Sequence, residues 1–134
     1  MKAQVAMEYL ILIGFVMAML IPLVLLFYSQ SADTALQVRS QQVRTIGQEI
    51  VEKAETVYYL GEPSRLQFRV FFPESIENVT LTNKALIFKI STAQGLSDIV
   101  VPTSVNLTGD LKTSSGLHLV SVQSKGTYVL INST

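Results

Sequence analysis

The chain has 134 residues, no cysteine, one histidine and a formal net charge of zero. That length holds a membrane segment and one compact domain, and the missing cysteines exclude disulfides and thiolate–zinc sites. Charged residues make up only 15% and form no block, which argues against a nucleic-acid surface, since such a surface needs a basic patch to displace counterions.

The chain opens on an apolar run. Residues 9–28 carry no charge, and about 20 apolar residues is what a helix needs to cross a bilayer. Glu8 stands at the head of this run, after Val5, Ala6 and Met7. A charged side chain at a span centre costs roughly 3 kcal/mol, and anchoring alone gives no reason for it. Three readings compete. A secretory signal peptide has a basic start, an apolar core of roughly 7–15 residues and a small-residue cleavage site. Lys2 and Ser29-Gln30-Ser31 suit it, but the core is too long, and Glu8 and Pro22 interrupt it. A plain signal anchor suits the length and sets Lys2 on the cytoplasmic side. It describes a non-polymerising, single-pass protein that presents an extracellular binding module, and it leaves Glu8 unexplained.

The third reading removes a short leader. A cut between Ala3 and Gln4 leaves a free α-amine on Gln4, with Glu8 four residues further on. Four residues is about 6 Å of rise on the same helix face. The first turn of a helix also favours negative charge. In hydrocarbon an ammonium and a carboxylate each relieve the other's desolvation. When the amine belongs to a second copy, the carboxylate becomes a register mark between packed helices.

Lys2-Ala3 before the cut, Gln4 after it, Glu8 at the fifth position of the mature chain and Tyr9-Leu10 following together resemble the class III signal peptide of archaeal type IV pilins and related pilin-like proteins. That family commonly has glycine before the cut, where this chain has Ala3. The resemblance covers the leader and the apolar run. It implies cleavage by a membrane aspartyl prepilin peptidase and residence in the cell membrane before assembly. It further implies incorporation by the pilus assembly machinery into an extracellular surface filament, a helical polymer of this chain with itself. A minor, pilin-like priming subunit carries the same leader, so the motif does not separate it from a major subunit.

Gly14 and Ala18 form a small-xxx-small pair that lets helix backbones approach closely; both residues are also common in membrane spans of every kind. Pro22 removes an amide donor and is expected to kink or loosen the helix. Pilin helices often carry a proline in this region, which adds to the resemblance.

Beyond residue 28 the chain turns polar without a helix breaker. Leu36, Val43, Ile50 and Val57 recur seven apart, with Ile46, Ala54 and Tyr58 on nearly the same face, the pattern of an amphipathic helix. Gly61 and Pro63 mark its end. One nearly continuous helix is therefore expected over about residues 4–60. Its second half is expected to cover an apolar patch of the domain that follows.

After Pro63 the sequence reads as short strands. Residues 66–72 alternate and stop at Pro73. Segments 76–82 and 85–91 flank Asn83-Lys84 as a hairpin. Further strands are expected at 99–101, 105–111, 117–123 and 127–131, the last two around Ser124-Lys125-Gly126. The expected fold class is α+β: a long N-terminal helix, apolar then amphipathic, packed on a small antiparallel β-sandwich or barrel-like head. The expected divisions are a leader at 1–3, a helix at 4–62 with its membrane or filament-core segment at 5–28, and a β-rich head at 63–134.

Three N-x-T sequons occur, at Asn78, Asn106 and Asn132. All lie in the part expected outside the cell, which makes them candidate glycosylation sites; a lone sequon arises often by chance. His118 lies in an alternating apolar run and reads as a strand residue near a sheet rim. Glu74, Glu77, Asp98 and Asp110 are scattered at expected turns, where acidic residues normally face solvent. No catalytic constellation, cofactor site or metal site is expected. The head is expected to contact surfaces or other cells.

Overall fold

The structure is a computed structural model that describes residues 1–134, the side chain of residue 32 excepted. It divides into two units, Met1–Gln37 and Val38–Thr134. One helix, α1 (Lys2–Leu60), contributes to both.

In the first unit every described side chain but that of the half-buried Leu36 is exposed. The helix begins earlier than the sequence suggests: the Val5 N–H donates to the Met1 carbonyl at 3.3 Å, so the expected leader is already helical in the uncut chain. The helical assignment passes through Pro22 without interruption. The missing proline N–H leaves the carbonyl of Ala18, four residues back, without a helical donor.

In the second unit the rest of α1 packs with seven strands. These are β1 (Arg65–Phe72), β2 (Ile76–Leu81), β3 (Ala85–Thr92), β4 (Gly95–Pro102), β5 (Leu107–Asp110), β6 (Gly116–Ser124) and β7 (Val129–Ser133). They form a four-stranded sheet in the order β1-β6-β7-β5 and a three-stranded sheet in the order β2-β3-β4. The fold is α+β and sandwich-like, with inward residues of both sheets in one core beside the helix. The expected all-antiparallel arrangement is corrected at one place: β5 runs parallel to β7. Gly109 makes that pairing possible. It sits at φ +135 opposite Ile131, where a Cβ would collide with the Ile131 carbonyl.

The amphipathic stripe docks as its spacing predicts. Val43, Ile50, Ala54 and Val57 are buried, and Ile46 and Tyr58 are partly buried. Val51 and Gly47 are buried too, although the seven-residue repeat does not single them out. At Gly47 the helix packs closely on the second sheet: a Cβ there would lie 2.7 Å from Val101 Cγ2 and 2.8 Å from Phe88 Cε2. Each buried Val or Ile contributes roughly 2 kcal/mol. Several such residues rival the whole stability margin of a domain, about 5–15 kcal/mol. Residues 38–60 are thus an integral part of the head, and the compact unit begins at Val38 instead of after the helix.

Local chemistry sets the boundaries. Gly61 stops the helix with φ +83, a left-handed conformation that glycine adopts without a Cβ penalty, while its N–H reaches the Tyr58 carbonyl at 3.1 Å. Asn83-Lys84 is the hairpin loop, closed by the Thr82 N–H to the Ala85 carbonyl at 3.0 Å and by the Thr82 hydroxyl to the same carbonyl at 2.7 Å. A second hairpin joins β3 to β4 and pairs Thr92 with Gly95. It starts β4 four residues before the expected Ile99; Leu96, Ser97 and Asp98 are paired with β3 but exposed, so they lack the buried alternation that marks a strand in sequence.

Candidate functional site

The sequence-designated assembly residues all belong to the first unit. Ala3, Gln4 and Glu8 lie in the opening turns of α1 and are exposed. Glu8 is the only charged residue between Lys2 and Asp33. Around it Val5, Met7, Leu10, Ile11 and Leu12 are each more than half exposed. A folded chain in water does not leave such a run uncovered, because exposed apolar patches of this extent mark membrane or protein contacts. By length and composition this helix is apolar enough to cross a membrane, so it can serve as an anchor.

Gly14 lies in open space, with nothing within 4 Å of where its Cβ would be. Ala18, one turn on, is exposed as well. The pair therefore makes a shallow, unoccupied notch in the helix surface. Pro22 stands one turn beyond, and the carbonyl it frees belongs to Ala18 itself.

The second unit holds the three sequons, and all three asparagines are exposed. Asn78 is in β2, an edge strand; Asn106 directly precedes β5, also an edge strand; Asn132 is in β7, an interior strand. His118 lies in β6 opposite Val70, two residues into the strand, and is buried. Its Nε2 is 2.6 Å from the Ser114 carbonyl. A carbonyl only accepts, so Nε2 carries the proton. The ring lies 5.2 Å from that of Phe72, tilted by 35°. This is a core histidine with its polar edge satisfied by the neighbouring loop. Among the described residues no group of three or more His, Asp or Glu is placed to hold a metal ion.

Sequence reasoning missed the residue that ties the helix to the β4–β5 loop. Glu55 Oε1 accepts from the Ser104 N–H at 3.0 Å and the Ser104 hydroxyl at 2.9 Å, with the Thr103 hydroxyl at 3.4 Å. These charge-assisted bonds are stronger than neutral ones. The partner is a loop 49 positions away, so no local sequence signal announces it. An apolar groove runs between Val38 and Ile46 of α1 and Phe71 and Pro73 of the β1 end. Phe71 and its cross-strand neighbour Leu117 are exposed beside it.

The class defined by this geometry is a compact α+β head whose own helix continues as an exposed apolar segment long enough to span a bilayer. Comparison with protein families, with curated proteins and with solved structures finds no match.

Proposed function

We propose that this chain is a structural subunit of an archaeal type IV pilus-like surface filament. In this reading the prepilin peptidase cuts between Ala3 and Gln4 while the apolar helix rests in the membrane. The assembly machinery then moves the helix from lipid into a core of like helices, and Glu8 pairs with the Gln4 amine of a neighbouring copy. The observation that carries the reading is the lone carboxylate on a helix surface that is otherwise apolar and exposed. A lipid anchor gains nothing from that charge, whereas a bundle gains register from it. The exposed Gly14 and Ala18 suit close helix packing, and neighbouring helices can shield the carbonyl freed by Pro22. The head decorates the filament and meets surfaces or other cells. Its residues perform no catalysis in this account and bind no cofactor.

Replacing Glu8 with Gln tests it. The variant is expected to be processed to a Gln4 N-terminus, to remain in the membrane and to yield at least tenfold fewer filaments. Normal filament yield from Glu8→Gln would remove the pairing mechanism. A native protein that retains Met1 and never sediments as filaments would instead establish the single-pass membrane module. Abundance in purified filaments decides between a major subunit and a priming one.

A further inference from the structure

The three sequons are alike as sequence and unlike as structure. We infer that Asn78 and Asn106 carry N-linked glycans and that Asn132 does not. The inference rests on the head lying outside the cell, which the proposed function shares, but it does not require polymerisation.

Glycan transfer forms a bond between the asparagine Nδ2 and the anomeric carbon of a lipid-linked sugar. The sugar–phosphate C–O bond breaks, the lipid phosphate leaves, and the amide gives up one proton to a base of the transferase. The donor is therefore a lipid-linked saccharide phosphate or diphosphate. The sequon must reach the transferase with its amide nitrogen free, and its backbone must come away from the sheet at small cost. An edge strand has hydrogen bonds on one side to give up; an interior strand has them on both.

Asn78 meets these conditions most fully. Its strand β2 is an edge, and the pairing of β2 with β3 is irregular between Ile76 and Asn78. Its Oδ1 accepts the Val79 N–H at 2.8 Å. Only the amide oxygen can take that role, so the nucleophilic Nδ2 is the end of the side chain left for the donor. Thr80, whose hydroxyl completes the sequon, is exposed. Asn106 sits at the entrance to β5, with its side chain and Thr108 exposed. Its one bond into the sheet runs from the Val129 N–H to the Asn106 carbonyl at 2.9 Å.

Asn132 is different. Its strand runs between β6 and β5, and it stands in register with Ser121 on one side and Asp110 on the other. The rest of its sequon is also tied down: the Ser133 hydroxyl accepts from the Lys112 N–H at 2.6 Å, and the Thr134 N–H donates to the Leu119 carbonyl at 3.0 Å. Freeing this sequon breaks ladder pairing with both neighbouring strands at once.

Glycopeptide mapping by mass spectrometry of the full-length protein from its own cells tests the assignment without any variant. The expected result is a saccharide on Asn78 and on Asn106 and none on Asn132. Asn78→Gln and Asn106→Gln are each expected to reduce the intact mass by one glycan, and Asn132→Gln by none. A bare Asn78 or Asn106, or a glycan on Asn132, would overturn the assignment. The N-terminus of the same sample separates this from the filament proposal. A retained Met1 with glycans on Asn78 and Asn106 removes the filament and keeps the sites; a Gln4 start with bare asparagines does the reverse.

Discussion

The two units use apolar residues in opposite ways. In Val38–Thr134 they are spaced so that each element has one side to bury. Val43, Ile50 and Val57 go inward from the helix, and Phe72, Phe88, Val120 and Ile131 go inward from the sheets. In residues 9–28 of the first unit they cover the helix all round and are exposed. A stripe is satisfied by one domain face, whereas an all-round surface needs lipid or other helices on every side. The lesson is that one helix carries two instructions. Its second half stabilises its own head, and its first half is completed only by molecules outside the chain. Substitutions in the two halves should therefore separate cleanly.

The largest effect on the head is expected from Ile50→Ala. Ile50 is fully buried, and truncation there should cost about 2–5 kcal/mol, which would leave a head of this size close to unfolding. Thermal unfolding of the head, followed by circular dichroism, checks this, while membrane insertion of residues 5–28 should be unchanged. Glu55→Ala comes next. It strips the β4–β5 loop of its acceptor and should destabilise the head by about 1–3 kcal/mol, read as a lower denaturant midpoint at unchanged slope. Gly14→Leu is expected to leave head stability unaltered, because the site is open. It should still reduce filament yield by filling the notch between helices. A fall in head stability from Gly14→Leu, or none from Ile50→Ala, would break the division between the units.

Much of this architecture is legible locally. The heptad-like repeat places Val43, Ile50 and Val57 inward, Gly61 stops the helix, and Pro73 ends β1 because each acts within its own turn. The β2–β3 loop at Asn83-Lys84 is legible for the same reason. What escaped the sequence depends on partners far along the chain. The parallel β5–β7 pair is set by Gly109 meeting Ile131, and the Glu55 clamp by a loop that folds back onto the helix. The early start of β4 escaped because its opening residues face solvent. The helix docking leaves no room for a Cβ at Gly47 beside Val101 and Phe88, yet a lone glycine in a helical pattern ordinarily reads as a weakness. The assembly residues lie at the other extreme. Glu8 and Gln4 stand out in sequence, while the single chain leaves them on an open surface; under the proposed function their partner is a second molecule.

Under the proposed function, the Glu8 carboxylate meets the Gln4 amine of a neighbouring copy when copies of this chain assemble. A high-resolution structure of the isolated filaments tests that pairing. The expected result is a chain beginning at Gln4, with a Glu8 oxygen within about 4 Å of the α-amine of a neighbouring copy, the usual ion-pair separation. A polymer in which Met1, Lys2 and Ala3 remain attached, or in which Glu8 faces only apolar side chains, would contradict it.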